Sequence, residues 1–394
     1  MKHIKLTLLL TLIFLTSGCI FEPKVTTEIN LASNLSIEYM SNTYLYDLIS
    51  ITDGTITDAN TLIDTSNIGE KEITINYKDS NNHKKKYSFN INIRDSVNPI
   101  LNISKNIYVN VNSSLDLYTY IFCGDNETRN VNLNITGDYD LNTIGDYPLE
   151  ITATDNSNNI VNKSTTLHVI EATNKDQTET VGKPLSYYIK SFKNSDNTIG
   201  IDISSHQKEI DFEAVKNAGI DFVMIRAGYG PDSNMLMTED TYFEDNYTKA
   251  KEAGLKVGVY LYSYATTLDE VDIQTDWLSN ILANKELDLP IAYDWESWNT
   301  FYKCNLNFYD LNNLANKFLE TMNSKGYQVM NYGSKYYLDT IWNTPKYAIW
   351  LAQYNNEVTY EKDFYMWQLS EIGNVDGIST LVDIDIKKNI VDKN

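Results

Sequence analysis

Part of this chain is written twice, and that limits what its middle can fold into. Ile68-Gly69-Glu70-Lys71-Glu72-Ile73-Thr74-Ile75-Asn76-Tyr77-Lys78-Asp79 and Ile144-Gly145-Asp146-Tyr147-Pro148-Leu149-Glu150-Ile151-Thr152-Ala153-Thr154-Asp155 correspond at an offset of 76 residues. Each copy continues through an Asn/Ser-rich turn into an alternating run, Tyr87–Ile93 and Ser164–Ile170. Alternation with period 2 between closely spaced turns predicts antiparallel β-structure. A repeat of this length suits a small β-sandwich, so two all-β modules are expected, 25–96 and 97–171. Lys84, Lys85 and Lys86 fall at the first module's hairpin turn and read as a solvated turn. Sandwiches host many roles, and as read here these two act as spacers.

The recurring hairpin, Gly-x-Tyr-x-Leu/Ile-x-Ile-x-Ala-x-Asp, resembles that of the bacterial immunoglobulin-like modules of surface proteins. The N-terminus points the same way. Lys2, His3 and Lys5 precede an apolar run, Leu6–Leu15, too short for a bilayer core of about 30 Å and suited to an export signal over residues 1–18. Thr16-Ser17-Gly18-Cys19 resembles a bacterial lipobox, with Thr16 where Leu is usual. That resemblance implies a lipid on Cys19, a tether over 19–24, and a protein exported to the outer face of the cytoplasmic membrane, facing the wall.

Charge and cysteine usage exclude several partners. Lys and Arg number 32 against 53 Asp and Glu, a net charge of −21. No basic stripe is available for phosphate contacts, so nucleic acid is not an expected partner. Three Cys and four His, with no metal-ligand spacing, leave neither a disulfide framework nor an expected metal site. Tyrosine is abundant, 29 against 12 Phe and 6 Trp, which suits wet surfaces and sugar rings.

Residues 172–196 lack sustained periodicity and read as a linker. From 197 to 394 the pattern alternates between strands and helices: Phe222–Arg226 is a short buried strand, Asn246–Ala253 is helical with Gly254 after it, and Lys256–Tyr264 is a second strand. Such alternation predicts a parallel sheet or barrel with its site at the C-terminal strand ends. One strand, Leu289–Glu296, is apolar until it ends in Asp294 and Glu296. Period 2 puts these two acids on one face and Trp295 on the other. Neighbouring carboxylates repel, so one stays protonated and can act as a general acid. Glycoside hydrolysis needs that proton, together with negative charge near an oxocarbenium-like carbon. Cα atoms at i and i+2 lie roughly 6.6 Å apart in a strand, which leaves the carboxyls free to adopt either the retaining or the inverting separation.

Ordered matches then run through the whole C-terminal domain: Gly200–Gln207 and Ile210-Asp211-Phe212, with Phe212 where Trp is usual; Phe222–Gly230; Phe243–Asn246 and Gly254–Tyr260; Asp294-Trp295-Glu296; Ile349–Tyr354; Met366–Leu369; and Val375–Ile378 with Val382–Asp385, where Asp385 replaces a common Asn. Together they resemble family 25 glycoside hydrolases, the Chalaropsis-type lysozymes. The resemblance implies an irregular TIM-like β/α barrel whose last strands lack helices, and no cofactor. It implies Glu296 as proton donor and Asp294 as the acid that assists the substrate's 2-acetamido group or stabilises the cation. Asp202 and Asp383 would complete the pocket, and the outcome would be retention by substrate assistance. Tyr262, Tyr332 and Trp367 are candidate sugar platforms, with plain packing the alternative for each. Gln353, within a matched run, is a further candidate for substrate binding. His206 reads as a loop residue.

Two functions are thereby open. One is a tethered N-acetylmuramidase that acts on peptidoglycan glycan strands. The other is a non-catalytic wall-binding or adhesion lipoprotein whose sandwiches hold a surface-protein partner. Four acids in place favour the enzyme, and the charge of −21 disfavours tight adsorption to an anionic wall.

Overall fold

A computed structural model describes residues 26–171 and 181–389. The export signal, Cys19, the tether over 19–24 and the opening of the expected linker lie outside the described residues. Among the described residues, no helix is long and apolar enough to cross a membrane. The chain divides into two compact units between Ser96 and Val97.

In the first unit, Glu28–Leu31 pairs antiparallel with Ile49–Thr52. A four-stranded sheet runs in the order Ser36–Glu38, Lys84–Arg94, Gly69–Lys78, Thr55–Ile56. Ile37, Ile49, Ile75, Phe89, Ile91 and Ile93 fill the space between the two sheets. The lysine run lies one step beyond the turn, at the start of the Lys84–Arg94 strand, and Lys85 pairs with Asp79 at 2.9 Å.

The second unit opens with the same arrangement. Ile100–Ile103 pairs antiparallel with Ile121–Gly124. The four-stranded sheet runs Asn132–Thr136, Gly145–Thr154, Ile160–Ile170, Asn106–Asn110, and its last pairing is parallel. The long hairpin repeats at the offset of 76 seen in the sequence, whereas the two-stranded sheet repeats at 72. Leu101, Ile107, Ile121, Leu149, Ile151, Leu167 and Val169 form its core.

The rest of this unit is a closed barrel of eight strands: Asn197–Ile203, Phe222–Gly230, Lys256–Ser263, Ile291–Asp294, Val329–Ser334, Ala348–Ala352, Met366–Asn374 and Val382–Lys388. The first seven are parallel. The eighth is antiparallel to both the seventh and the first and closes the ring. Helices follow the first five strands (Phe212–Ala218, Phe243–Glu252, Leu268–Ile281, Phe308–Ser324, Lys335–Thr340), and none follows the sixth or seventh. Their starts are set locally. Asp211 accepts from Ala214 N, and Thr267 and Glu270 form a reciprocal capping box. Strand residues alternate between two cores. Val223, Ile225, Val259, Ile291, Tyr293, Ile384 and Ile386 face the helices. Phe222, Met224, Met330, Trp350 and Met366 fill the barrel. Gly200 is required for that filling, since a Cβ there would stand 2.2 Å from the Phe222 ring.

The expected linker needs correction. Lys183 and Pro184 pair with the seventh strand, and Leu185–Phe192 is a helix. Tyr188 of that helix is 2% exposed, with its hydroxyl 2.7 Å from Ser370 Oγ. One apolar helical face of two turns is too short to stand out as a period in sequence, yet it suffices to dock here.

Leu167 is fully buried in the second module. Leu167→Ala is expected to lower stability by about 2–5 kcal/mol, because a cavity replaces the removed atoms. A reduced urea midpoint for the transition of residues 97–394 would report this.

Candidate active site

The inward positions of the barrel strands converge at the C-terminal end of the parallel strands. Asp202, Arg226, Tyr260, Tyr262, Asp294, Tyr332, Gln368 and Asp383 line one cleft of about 280 Å³, joined by Glu296, His206, Trp350 and Tyr354. Asp294 is the last residue of the fourth strand. Glu296, two residues on, opens a 3₁₀ turn, Ser297–Lys303. Trp295 between them points away, is buried, and donates its indole N–H to Ala265 O at 3.0 Å. Both acids line the cleft, although the expected strand ends at Asp294 and Glu296 lies just beyond it. Asp202 and Asp383 are direct partners across the antiparallel first and eighth strands.

The cleft gathers acids away from water. Burial, then the Glu296 charge beside it and Asp202, raise the Asp294 pKa well above the ordinary range, with Arg226 opposing them. Asp294 Oδ1 is buried with no hydrogen-bond partner among the described residues. Glu296 keeps an exposed edge at the cleft mouth, and crowding by the surrounding protein raises its pKa as well. Burial and the neighbouring Asp202 charge push Asp383 up to about 9. Carboxyls crowded in this way cannot all ionise together, so part of the set keeps its protons at neutral pH.

A second layer fixes these groups. Tyr332 and Tyr354 donate their hydroxyls to Gln368 Oε1 at 2.9 and 3.1 Å, and Gln368 Nε2 donates to Asp202 Oδ2 at 2.8 Å. Asp385 is fully buried, and its Oδ1 accepts from Trp350 Nε1 at 2.8 Å. Its other oxygen, Oδ2, is buried with no hydrogen-bond partner among the described residues. Burial pushes Asp385 up to about 8. Arg226 is held by the buried Asp240 at 2.7 Å and by Ser205 Oγ at 3.0 Å.

Of the candidate aromatics, Tyr262 and Tyr332 line the cleft. Trp367 does not. It lies on the outward face of the seventh strand, in the core against the helices, where Phe192 packs on it edge-on at 5.6 Å. Gln353 is likewise outside the cleft, bonded to Thr359 through both ends of its amide. Both corrections have one cause. Along these strands the even-numbered positions 350, 352, 366 and 368 face inward and Trp367 faces outward, and the same alternation continues just past the sixth strand, where Tyr354 lines the cleft and Gln353 turns to Thr359. The same count would have found Tyr354 and Gln368. His206, expected on a loop, lies in a short 3₁₀ turn, Ser205–Gln207, and lines the cleft. Arg226 carries no local sequence signal beyond its place in a strand.

Residues 201–378 match the family model of glycosyl hydrolases family 25. An autolytic lysozyme of Clostridium acetobutylicum is 31% identical over 189 residues, which are 47% of this chain and 54% of that protein. The chain therefore spans about half the length of this curated relative. Among solved structures, the modular autolysin LytC from Streptococcus pneumoniae in complex with a synthetic peptidoglycan ligand aligns at 23% identity. That alignment covers 60% of this chain and 56% of LytC, with a TM-score of 0.45. A family 25 glycosyl hydrolase from Bacillus anthracis aligns at 17% identity over 55% of this chain and 96% of that one, with a TM-score of 0.44.

The Asp385 carboxyl gives a test of this electrostatic layout. Its folded pKa of about 8 lies above the unfolded value, about 3.9 for aspartate. Its contribution is therefore fully present below about pH 4 and is lost as pH rises through about 8. Asp385→Asn keeps the shape and removes the titration. From pH 5 to 9 the melting temperature of the wild type is expected to fall more steeply than that of the variant. Each kcal/mol corresponds to about 2–4 °C, and differential scanning calorimetry across that range checks it.

Proposed function

We propose that this protein is a peptidoglycan hydrolase of the lysozyme type, an N-acetylmuramidase that cleaves the β-1,4 bond between N-acetylmuramic acid and N-acetylglucosamine. The observation that carries this reading is the pair Asp294 and Glu296, facing one acid-lined cleft at the end of the fourth strand, within the segment that matches glycosyl hydrolases family 25. The likeness to an autolytic lysozyme supports the same substrate class.

Each side chain then has a role. Glu296, kept protonated by its crowded position, gives its proton to the glycosidic oxygen as the C1–O bond breaks. The substrate's 2-acetamido oxygen attacks C1, and Asp294 beside it holds the acetamido N–H and balances the developing positive charge. The Glu296 carboxylate then takes a proton from the water that opens the cyclic intermediate, which restores the starting state. Asp202 and Asp383 line the cleft beside this pair, with Gln368 fixing Asp202. Tyr262 and Tyr332 form walls against the sugar rings. The remainder of the chain serves delivery: an export signal, a lipid on Cys19, and immunoglobulin-like modules, the first of them as a spacer between membrane and wall.

Digestion of purified peptidoglycan, followed by borohydride reduction and mass spectrometry, tests the reading. Fragments ending in reduced muramic acid are expected from the wild type. Glu296→Gln is expected to lower kcat by about 10²–10⁴-fold, the usual contribution of a general acid. Reduced glucosamine ends would assign a different bond. No fragments from several wall types would favour a non-catalytic wall-binding lipoprotein. Tyr262→Ala is expected to raise KM with a smaller effect on kcat, the signature of lost binding common to ground and transition states.

A further inference from the structure

Strand alternation singles out one residue of the second sandwich. In Ile121–Gly124, Ile121 and Cys123 join their own module's core. Phe122 points the opposite way, is 4% exposed, and belongs to the hydrophobic core of the barrel. Its ring meets Trp298, Phe301, Phe308 and Tyr337 at centroid distances of 5.7, 5.7, 6.3 and 5.4 Å. Trp298 and Phe301 belong to the 3₁₀ turn that begins directly after Glu296.

The contact is close and polar at its rim. A Cβ on Gly124 would stand 2.5 Å from the Phe308 ring and 2.7 Å from that of Phe301, so only glycine lets the strand approach this far. Phe308 N donates to Asp125 O at 2.8 Å, and Asn307 Nδ2 donates to Glu127 O at 2.6 Å. Arg129 grips both oxygens of Asp310, at 2.6 and 3.3 Å, and Asn130 Nδ2 donates to Asn305 Oδ1 at 3.0 Å. The first repeat supplies an internal comparison. At the offset of 72 that relates the two-stranded sheets, Phe122 corresponds to Ser50 and Gly124 to Thr52, both exposed. The copy that does not belong to the barrel's unit lacks the docking residues.

Glu296 is where this contact bears on chemistry. No hydrogen bond reaches its carboxyl among the described residues, so its aim depends on the backbone that carries it and on packing. That backbone is held by Trp298, whose N–H donates to Glu296 O at 2.7 Å and whose ring stacks on Tyr337 at 3.7 Å. We propose that the second sandwich is part of the catalytic apparatus, with Phe122 a positioning residue that fixes the turn carrying Glu296. Its kinetic consequence rests on the muramidase reading. Its effect on Glu296 itself does not.

The test uses the full chain as wild type, Phe122→Ala, Phe122→Leu and the double variant Arg129→Ala/Asn130→Ala, each confirmed folded by circular dichroism at the assay temperature. In Phe122→Ala, kcat on peptidoglycan is expected to fall about 10–100-fold, the scale of a small misplacement of a reacting group, with KM within about twofold. Phe122→Leu should recover most of the loss. In parallel, carbon-13 titration of glutamate-labelled protein follows the Glu296 carboxyl, identified by its absence in Glu296→Gln. In Phe122→Ala its midpoint should move down towards the ordinary glutamate value as the turn loosens and water enters. A folded Phe122→Ala with unchanged kcat and an unchanged midpoint overturns the proposal. Should Phe122→Ala unfold, the double variant decides: smaller shifts in the same directions support the proposal, and none overturns it. If the wild type digests no wall, the hydrolase reading falls, and the Glu296 midpoint alone settles the role of Phe122.

Discussion

The antiparallel pairing of the last barrel strand with the first organises everything around it. Seven parallel strands alone would leave two open edges and a split cleft. The eighth strand joins those edges in the register that sets Asp383 opposite Asp202. Once the ring closes, the inward positions of strands far apart in sequence, at Asp202, Asp294 and Asp383, meet at one end. The antiparallel direction also removes the need for a crossover helix before the eighth strand, whereas the parallel sixth and seventh strands are joined by a crossover without a helix.

Closure then creates an electrostatic problem that the surrounding residues solve. Several carboxyls share a space with one arginine, and they cannot all ionise in a poorly hydrated cleft. Retained protons, the Gln368 amide and the Arg226 guanidinium, held by Asp240, limit the charge among them. The result is a site in which a carboxyl can remain an acid near neutral pH while its neighbours provide negative potential, the division of labour that glycosidic cleavage asks for.

Much of this could be read from the residues because it depends on local periods. Alternation in the apolar strand before Asp294 placed both acids together, and the repeat at 76 residues located the long hairpins of both modules. What the sequence concealed depends on contacts between distant segments or on which parity faces inward. Residue type and matched position suggest Trp367 and Gln353 as substrate contacts, and the fold turns both away from the cleft. The helix Leu185–Phe192 is too brief to announce itself and is held by Tyr188 and Ser370. Phe122 is one aromatic residue in a short apolar strand. Only the fold distinguishes its direction from that of Ile121 and Cys123.

The docking of Phe122 bears on where this protein can be divided. Composition suggests a cut in the stretch before residue 196, and a fragment starting there would keep every acid of the cleft. It would also uncover Trp298, Phe301 and Phe308 and remove the helix that covers Trp367. Contiguous aromatic surface of that kind drives self-association in water. The smallest piece with all of these faces covered begins near Val97. Two modules alike in fold thus differ in role: the second is a wall of the barrel, and the first forms a compact unit with its own core.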